Sequence, residues 1–243
     1  MLRAGRQGRE DLAGYHGDHR SRSGAANVAA HGKSSVPRSK SSARWLKEHF
    51  GDEFVKRAQA EGFRSRAAFK LDELLDRDKL LKPDMVVVDL GAAPGGWSQL
   101  VRQRLGESGR VFALDILPMQ GIGGVEFIQG DFREDAILDA LAAKLDGTPV
   151  DLVLSDMAPN ISGIEVSDQA RMMHLVELAA EFASKCLKPG GSLLVKLFQG
   201  RGFDEYVRDL RAGFARVTLR KPKASRARSR EVYALATGWK GEK

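Results

Sequence analysis

Val86–Val101 reads VVVDLGAAPGGWSQLV. A β-branched run, Val86–Val88, leads through Asp89 and Leu90 into a turn holding Gly91, Pro94, Gly95 and Gly96. Trp97 follows, and the chain then takes helical spacing. A buried strand ending in so bare a turn lets a ligand approach the backbone without meeting Cβ atoms. In an open α/β sheet ligands bind there, beyond the C-terminal ends of the strands. The turn lacks the G-x-G-x-x-G fingerprint of a dinucleotide fold, which argues against a nicotinamide dehydrogenase. No P-loop Lys-Ser/Thr follows it either.

Working outward, strands and helices alternate. Strands are expected in GRVFALDI, GVEFIQGD, PVDLVLSDMAP and GSLLVKLF, and helices in REDAILDALAAKL, SDQARMMHLVELAAEFASKCL and FDEYVRDLRAGF. The Pro-Gly-Gly at 189–191 is expected to close the long helix. Upstream, SARWLKEHFGDEFVKRAQAEG and FRSRAAFKLDELLDRDKLL read as two helices, the first with Trp45, His49 or Phe50, and Phe54 on one face. ARVTLRKP and REVYALATG have no helix between them and are expected to pair as an antiparallel hairpin at one sheet edge. The pattern predicts an α/β fold, a mostly parallel sheet with helices on both faces.

The chain has 243 residues, 42% hydrophobic and 29% charged, which suits one domain with a substantial core. No apolar run is long enough for a membrane helix, and the N-terminus lacks the apolar region of a secretory signal. The net charge is +7, which suggests a polyanionic partner. Residues 1–40 hold eight Lys/Arg against three Asp/Glu, so this Gly-, Ser- and Arg-rich segment carries +5 of that total. It reads as a disordered basic extension, with 41–243 as the single folded domain. Its Arg-rich, acid-poor composition also admits a transit peptide, though its glycines and missing apolar face argue against one. The distribution of charge in the rest is more telling. Arg216–Arg230 contains seven Lys/Arg and no acid, and Arg64, Arg66 and Lys70 form a second cluster. Phosphate contacts from such segments position RNA without reading its sequence.

Four expected strand ends carry an acid: Asp89, Asp115, Asp131 and Asp156. One is ordinary turn chemistry. Four on one rim suit a cationic, ribose-bearing ligand, and S-adenosylmethionine fits with its sulfonium, ammonium and ribose diol. Asp115 lies 24 residues after Gly91, placed for ribose hydroxyls. Lys196 continues the apolar run Leu193–Val195, where a lysine needs a partner or a snorkelling path to water. From the residues alone Lys70 and Glu231 read more readily as surface charges, and Trp97 as a core aromatic or, given its place just after the glycine turn, rather as pocket lining. Cys186 is expected to be a small core residue on a helix, His174 a structural residue on an apolar helix face, and Met172 and Met173 core or substrate-side filler. Asn160 either caps the next segment or touches the ligand. No metal site is implied.

DLGAAPGGWSQ, GDFR, SDMAPN, KLFQG and SRARSREVY together resemble the FtsJ/RrmJ family of ribosomal RNA ribose 2′-O-methyltransferases. The likeness runs from about Ser39 to Thr237. It implies a Rossmann-like methyltransferase fold, S-adenosylmethionine as cofactor, and a ribose in the A-loop of the large ribosomal subunit as target. The family's catalytic Lys-Asp-Lys-Glu set falls on Lys70, Asp156, Lys196 and Glu231, and its cofactor contacts on Gly95, Trp97, Asp115, Asp131 and Asp156. Lys196 is then the base for the 2′-OH, or a hydrogen-bond donor to it. The partner expected is large-subunit RNA within the 50S particle, met by a cytoplasmic monomer. The same chemistry on transfer RNA or another RNA, or a non-catalytic assembly factor, are the competing readings; the intact four-residue set argues against the last. The stretch ahead of RSKSSARWL departs from the family, and residues 1–35 are either a genuine tail or the product of an upstream start.

Overall fold

The computed structural model describes residues 52–226 and 228–241. The 1–40 segment lies outside them, as do Trp45, His49 and Phe50. In chain order the elements are α1 (Glu53–Ala60), α2 (Ala68–Asp78), β1 (Val86–Leu90), α3 (Gly96–Arg104), β2 (Arg110–Asp115), β3 (Val125–Gln129), α4 (Asp135–Leu145) and β4 (Val150–Ser155). Then come α5 (Glu165–Cys186), β5 (Leu187–Phe198), α6 (Phe203–Gly213), β6 (Phe214–Arg220) and β7 (Glu231–Trp239).

The strands form one sheet in the order β3-β2-β1-β4-β5-β7-β6. The first five pair in parallel, and β7 pairs antiparallel with both β5 and β6. The expected hairpin is present, but only β6 is the edge; β7 is interior. The chain runs outward from β1 to β3, then returns to add β4 on the other side of β1. This makes the C-terminal ends of β1 and β4 the switch point, where such folds bind ligands.

Alternation sorts the strand residues onto two faces. Val86, Val88, Leu90, Val153, Leu193 and Val195 pack with Leu141, Met172, Val176, Phe182 and Leu210 of α4, α5 and α6. Val87, Leu152, Leu154, Leu194, Tyr233 and Leu235 pack with Leu71, Leu74, Trp97 and Leu100 of α2 and α3. The central strands β1, β2 and β4 are buried on both faces, so they read as largely apolar runs, whereas the outer strands β3 and β6 are partly exposed.

Two boundaries differ from expectation. The long helix ends at Cys186, and Leu187 already pairs with Val150. Pro189-Gly190-Gly191 is absorbed in β5 as a register shift between Val150 and Leu152, with Gly190 at φ +83°. The residues that break helices thus bend a strand here. The helix expected from Phe63 begins only at Ala68 and is closed by Lys79 in the left-handed conformation.

Candidate active site

Gly91, at φ +78°, takes the chain out of β1, and its N–H donates to the Leu114 carbonyl at 2.9 Å. Gly95, at φ +106°, caps α3. Past the ends of β1, β2 and β4 opens a cleft of about 570 Å³. Asp115, Asp131 and Asp156 line it, with Ile116, Leu117, Phe132, Met157 and Pro159 as apolar surface.

Asp115 Oδ2 accepts the Ala93 N–H and Oδ1 the Leu117 N–H, each at 2.8 Å. These bonds fix the carboxylate and leave a lone pair on each oxygen for a ligand. Asp131 is gripped by Arg133 through Nε at 2.9 Å and by the Arg133 N–H at 3.0 Å. These hydrogen bonds hold the Asp131 carboxyl down at about 2.

The fourth acid behaves differently. Asp89 lies inside β1, fully buried, and does not reach the cleft. The rim therefore has three acids rather than four, because one residue, Leu90, still separates Asp89 from the turn. Asp89 Oδ2 accepts from Ser98 Oγ at 2.6 Å, and Oδ1 has no partner among the described residues. Burial pushes its carboxyl up to about 7, against the Ser98 hydrogen bond and with help from the Asp156 and Asp115 charges. A folded-state value above the unfolded one means its contribution is whole below about pH 4 and lost as pH rises through 7. Relative to Asp89→Asn, the wild type is expected to lose on the order of a few kcal/mol between pH 4 and pH 8, read by urea unfolding at each pH. An unchanged difference across that range would contradict an acid form buried in the fold.

Two more expectations need revision. Trp97 and Gly95 do not line the cleft. Trp97 is buried, donates from Nε1 to the Ala67 carbonyl at 2.8 Å, and lies 5.8 Å from the Tyr233 ring. It ties α3 to the start of α2. His174 is exposed and lines the cleft, not a structural apolar face. The buried stripe of α5 runs through Met172, Val176, Ala179 and Ala183, and position 174 falls off it. Asn160 also lines the cleft, while the turn before α5 is held by Asp168 instead. Cys186 ends α5 partly buried against the core, and burial pushes its thiol up to about 12.

At one end of the cleft Asp156 joins a second group. Lys196 Nζ lies 3.0 Å from Asp156 Oδ1 and also donates to the Asp156 carbonyl. Tyr233 Oη donates to Asp156 Oδ1 at 2.9 Å. Lys70 Nζ donates to Glu231 at 2.7 and 2.8 Å and to Tyr233 Oη at 3.4 Å. Ser225 Oγ donates to Glu231 Oε1 at 2.7 Å. Lys70, Asp156, Lys196 and Glu231 are therefore brought together, and Tyr233 bridges their two ion pairs.

The register explains the convergence. Asp156 continues the Leu152, Leu154 face, Lys196 the Leu194 face, and Glu231 the Tyr233, Leu235 face, all toward α2, which carries Lys70. Lys196 and Tyr233 are cross-strand partners. The Tyr233 hydroxyl is fully buried, and burial, with the Asp156 and Glu231 charges beside it, holds its proton on well above the usual phenol range. It is a donor, not a base. The period-two spacing of Glu231 and Tyr233 was the available sequence signal for it.

The basic segment is partly occupied by structure. Arg220 pairs with Asp78 at 2.6 Å, and Arg230 with Glu165 at 2.5 Å. Arg66, Arg226 and Ser229 line a smaller cavity beside Lys70 and Glu231, of about 290 Å³.

The FtsJ-like methyltransferase family model matches residues 63–239. The chain belongs to this family. It is 68% identical over 201 residues to the ribosomal RNA large subunit methyltransferase E of Stenotrophomonas maltophilia, covering 83% of this chain and 96% of that protein. The same figures hold for the protein of that name from Xanthomonas euvesicatoria. A crystal structure of a Plasmodium falciparum protein described as a ribosomal RNA methyltransferase superposes with TM-score 0.67 at 28% identity, covering 74% of this chain and all of that one. The family's cofactor is S-adenosylmethionine, and the residues present fit it. The acids of the cleft suit its cationic groups and hydroxyls, the apolar wall suits its purine, and Gly91 leaves the backbone bare beneath it.

Proposed function

We propose that this chain methylates a ribose 2′-OH of large-subunit ribosomal RNA, at a uridine of the A-loop in the assembled 50S particle. It would act as a cytoplasmic monomer through a single catalytic domain at 41–243. The carrying observation is Asp156, which belongs both to the acidic cleft and to the Lys196–Asp156–Tyr233–Lys70–Glu231 chain. Donor site and acceptor site share that one side chain.

When bound, S-adenosylmethionine would supply an electrophilic methyl group, with S-adenosylhomocysteine as the leaving group. Asp115, Asp131 and Asp156 would hold it in the cleft, with Gly95 and Trp97 supporting the turn beneath. Lys196 Nζ would take up the proton that the 2′-OH gives up. Asp156 fixes Nζ by charge and hydrogen bond, and Tyr233 fixes Asp156. Lys70 and Glu231 hold the far end of the chain and orient the incoming ribose. Positioning of this kind supplies up to about 7–11 kcal/mol of a barrier in favourable cases. Arg66, Arg226 and their neighbours provide cationic contacts for the RNA backbone.

Labelled methyl transfer to large subunits from a strain lacking the gene, run beside purified transfer RNA, tests the substrate. Label is expected in the large-subunit RNA and not in transfer RNA. Label confined to transfer RNA would overturn the substrate assignment.

A further inference from the structure

Six large apolar side chains are strongly exposed among the described residues. Ile116 and Leu117 line the cofactor cleft, and Leu219 sits on the edge strand β6. The other three, Ile161, Ile164 and Val166, are 67%, 65% and 71% exposed and lie within six positions at the end of the β4–α5 loop and the first turn of α5. That loop begins with Asp156.

Their exposure is built in. Asp168 accepts the Ser162 N–H at 2.8 Å, the Ser162 hydroxyl at 2.7 Å and the Gly163 N–H at 3.0 Å. The Asp168 N–H in turn donates to the Ile164 carbonyl at 2.9 Å. This closed turn, with Gly163 at φ +86°, fixes the loop while its aliphatic side chains remain in water. Glu165, in the middle of the ridge, pairs with Arg230, the residue before Glu231. The ridge is thereby fastened next to the start of β7, which carries Glu231 and Tyr233.

Three exposed aliphatic side chains within six positions call for a partner with an apolar face. Its surroundings specify the rest. Arg230 flanks it, and the acid-free run Arg216–Arg230 leads up to it. Its two acids, Glu165 and Asp168, are both engaged within the protein. Flat apolar faces strung on a polyanion describe unstacked nucleobases. Aliphatic side chains inserted between base steps are a known means of parting a stack. Parting the stack beside a target nucleotide frees its backbone to move into a concave pocket.

We propose that Ile161, Ile164 and Val166 form a wedge that inserts beside the target nucleotide and unstacks it. The wedge rests on the RNA substrate proposed above but not on the site of methylation.

The test uses the full chain and an RNA stem-loop of A-loop sequence carrying 2-aminopurine beside each loop uridine. Fluorescence reports unstacking, and anisotropy reports binding. Wild-type protein is expected to raise 2-aminopurine fluorescence severalfold. The triple variant Ile161→Ser/Ile164→Ser/Val166→Ser is expected to bind S-adenosylmethionine as the wild type does and to bind the stem-loop within about tenfold, because phosphate contacts carry most affinity. It is expected to lose the fluorescence rise and at least tenfold in kcat/KM. A full rise with the variant, or failure of the wild type to bind or unstack the loop, would overturn the wedge. So would a loss seen only on assembled subunits with the naked stem-loop unaffected, which would assign the ridge to a ribosomal protein. If the wild type unstacks the loop yet methylates no ribose, the proposed activity falls and the wedge stands.

Discussion

Lys196→Ala is expected to lower kcat by roughly 10²–10⁴, the range for removing a positioned acid–base group. S-adenosylmethionine affinity should stay within a few-fold, because the three acids of the cleft remain. The fold should survive. Asp156 loses its cation but keeps the Tyr233 hydroxyl as donor at 2.9 Å, so no carboxylate is orphaned. Single-turnover methyl transfer with saturating cofactor separates the chemical step from binding. Near-normal turnover with unchanged RNA affinity would contradict Lys196 both as base and as hydrogen-bond donor.

Gly91→Ala is expected to damage both stability and cofactor binding. A Cβ there would meet Met157 Cγ at 2.8 Å, N at 2.9 Å and Cα at 3.0 Å. The Met157 backbone follows Asp156 and cannot retreat without moving that carboxylate. The left-handed φ adds about 1–2 kcal/mol for a residue with a side chain. Overpacking adds about 1–3 kcal/mol. Together these are a large part of a typical domain's stability of about 5–15 kcal/mol. At about 2–4 °C per kcal/mol for a domain of this size, a Tm drop of roughly 5–20 °C follows. Calorimetry and a cofactor titration on the same preparation check it; a wild-type Tm with intact binding would mean the turn is looser than its contacts imply.

The bare turn at Gly91–Gly96 was legible because glycines placed after an apolar run have few other uses. The parallel sheet followed from strands that read apolar throughout. What sequence periodicity missed had local causes. Asp89 looked like a rim acid, but one further residue of strand buries it beneath the turn. His174 looked apolar-facing because its neighbours are methionines and leucines, yet the buried stripe passes two residues earlier through Met172. Pro189-Gly190-Gly191 looked like a helix stop because a strand bulge uses the same residues. Tyr233 was passed over although it stands two residues from Glu231 on the same face. Strand pairing, which put it opposite Lys196, is a long-range property that local spacing does not encode.

The most direct test of the central claim is where the methyl group sits. RNA labelled by this protein would be hydrolysed with alkali, which needs a free 2′-OH to cleave the adjacent phosphodiester. Label is expected in alkali-stable dinucleotides from large-subunit RNA, since a methylated 2′-oxygen cannot attack its phosphate. Label released as mononucleotides would place the methyl on a base and contradict the ribose chemistry assigned to Lys196, Asp156, Lys70 and Glu231.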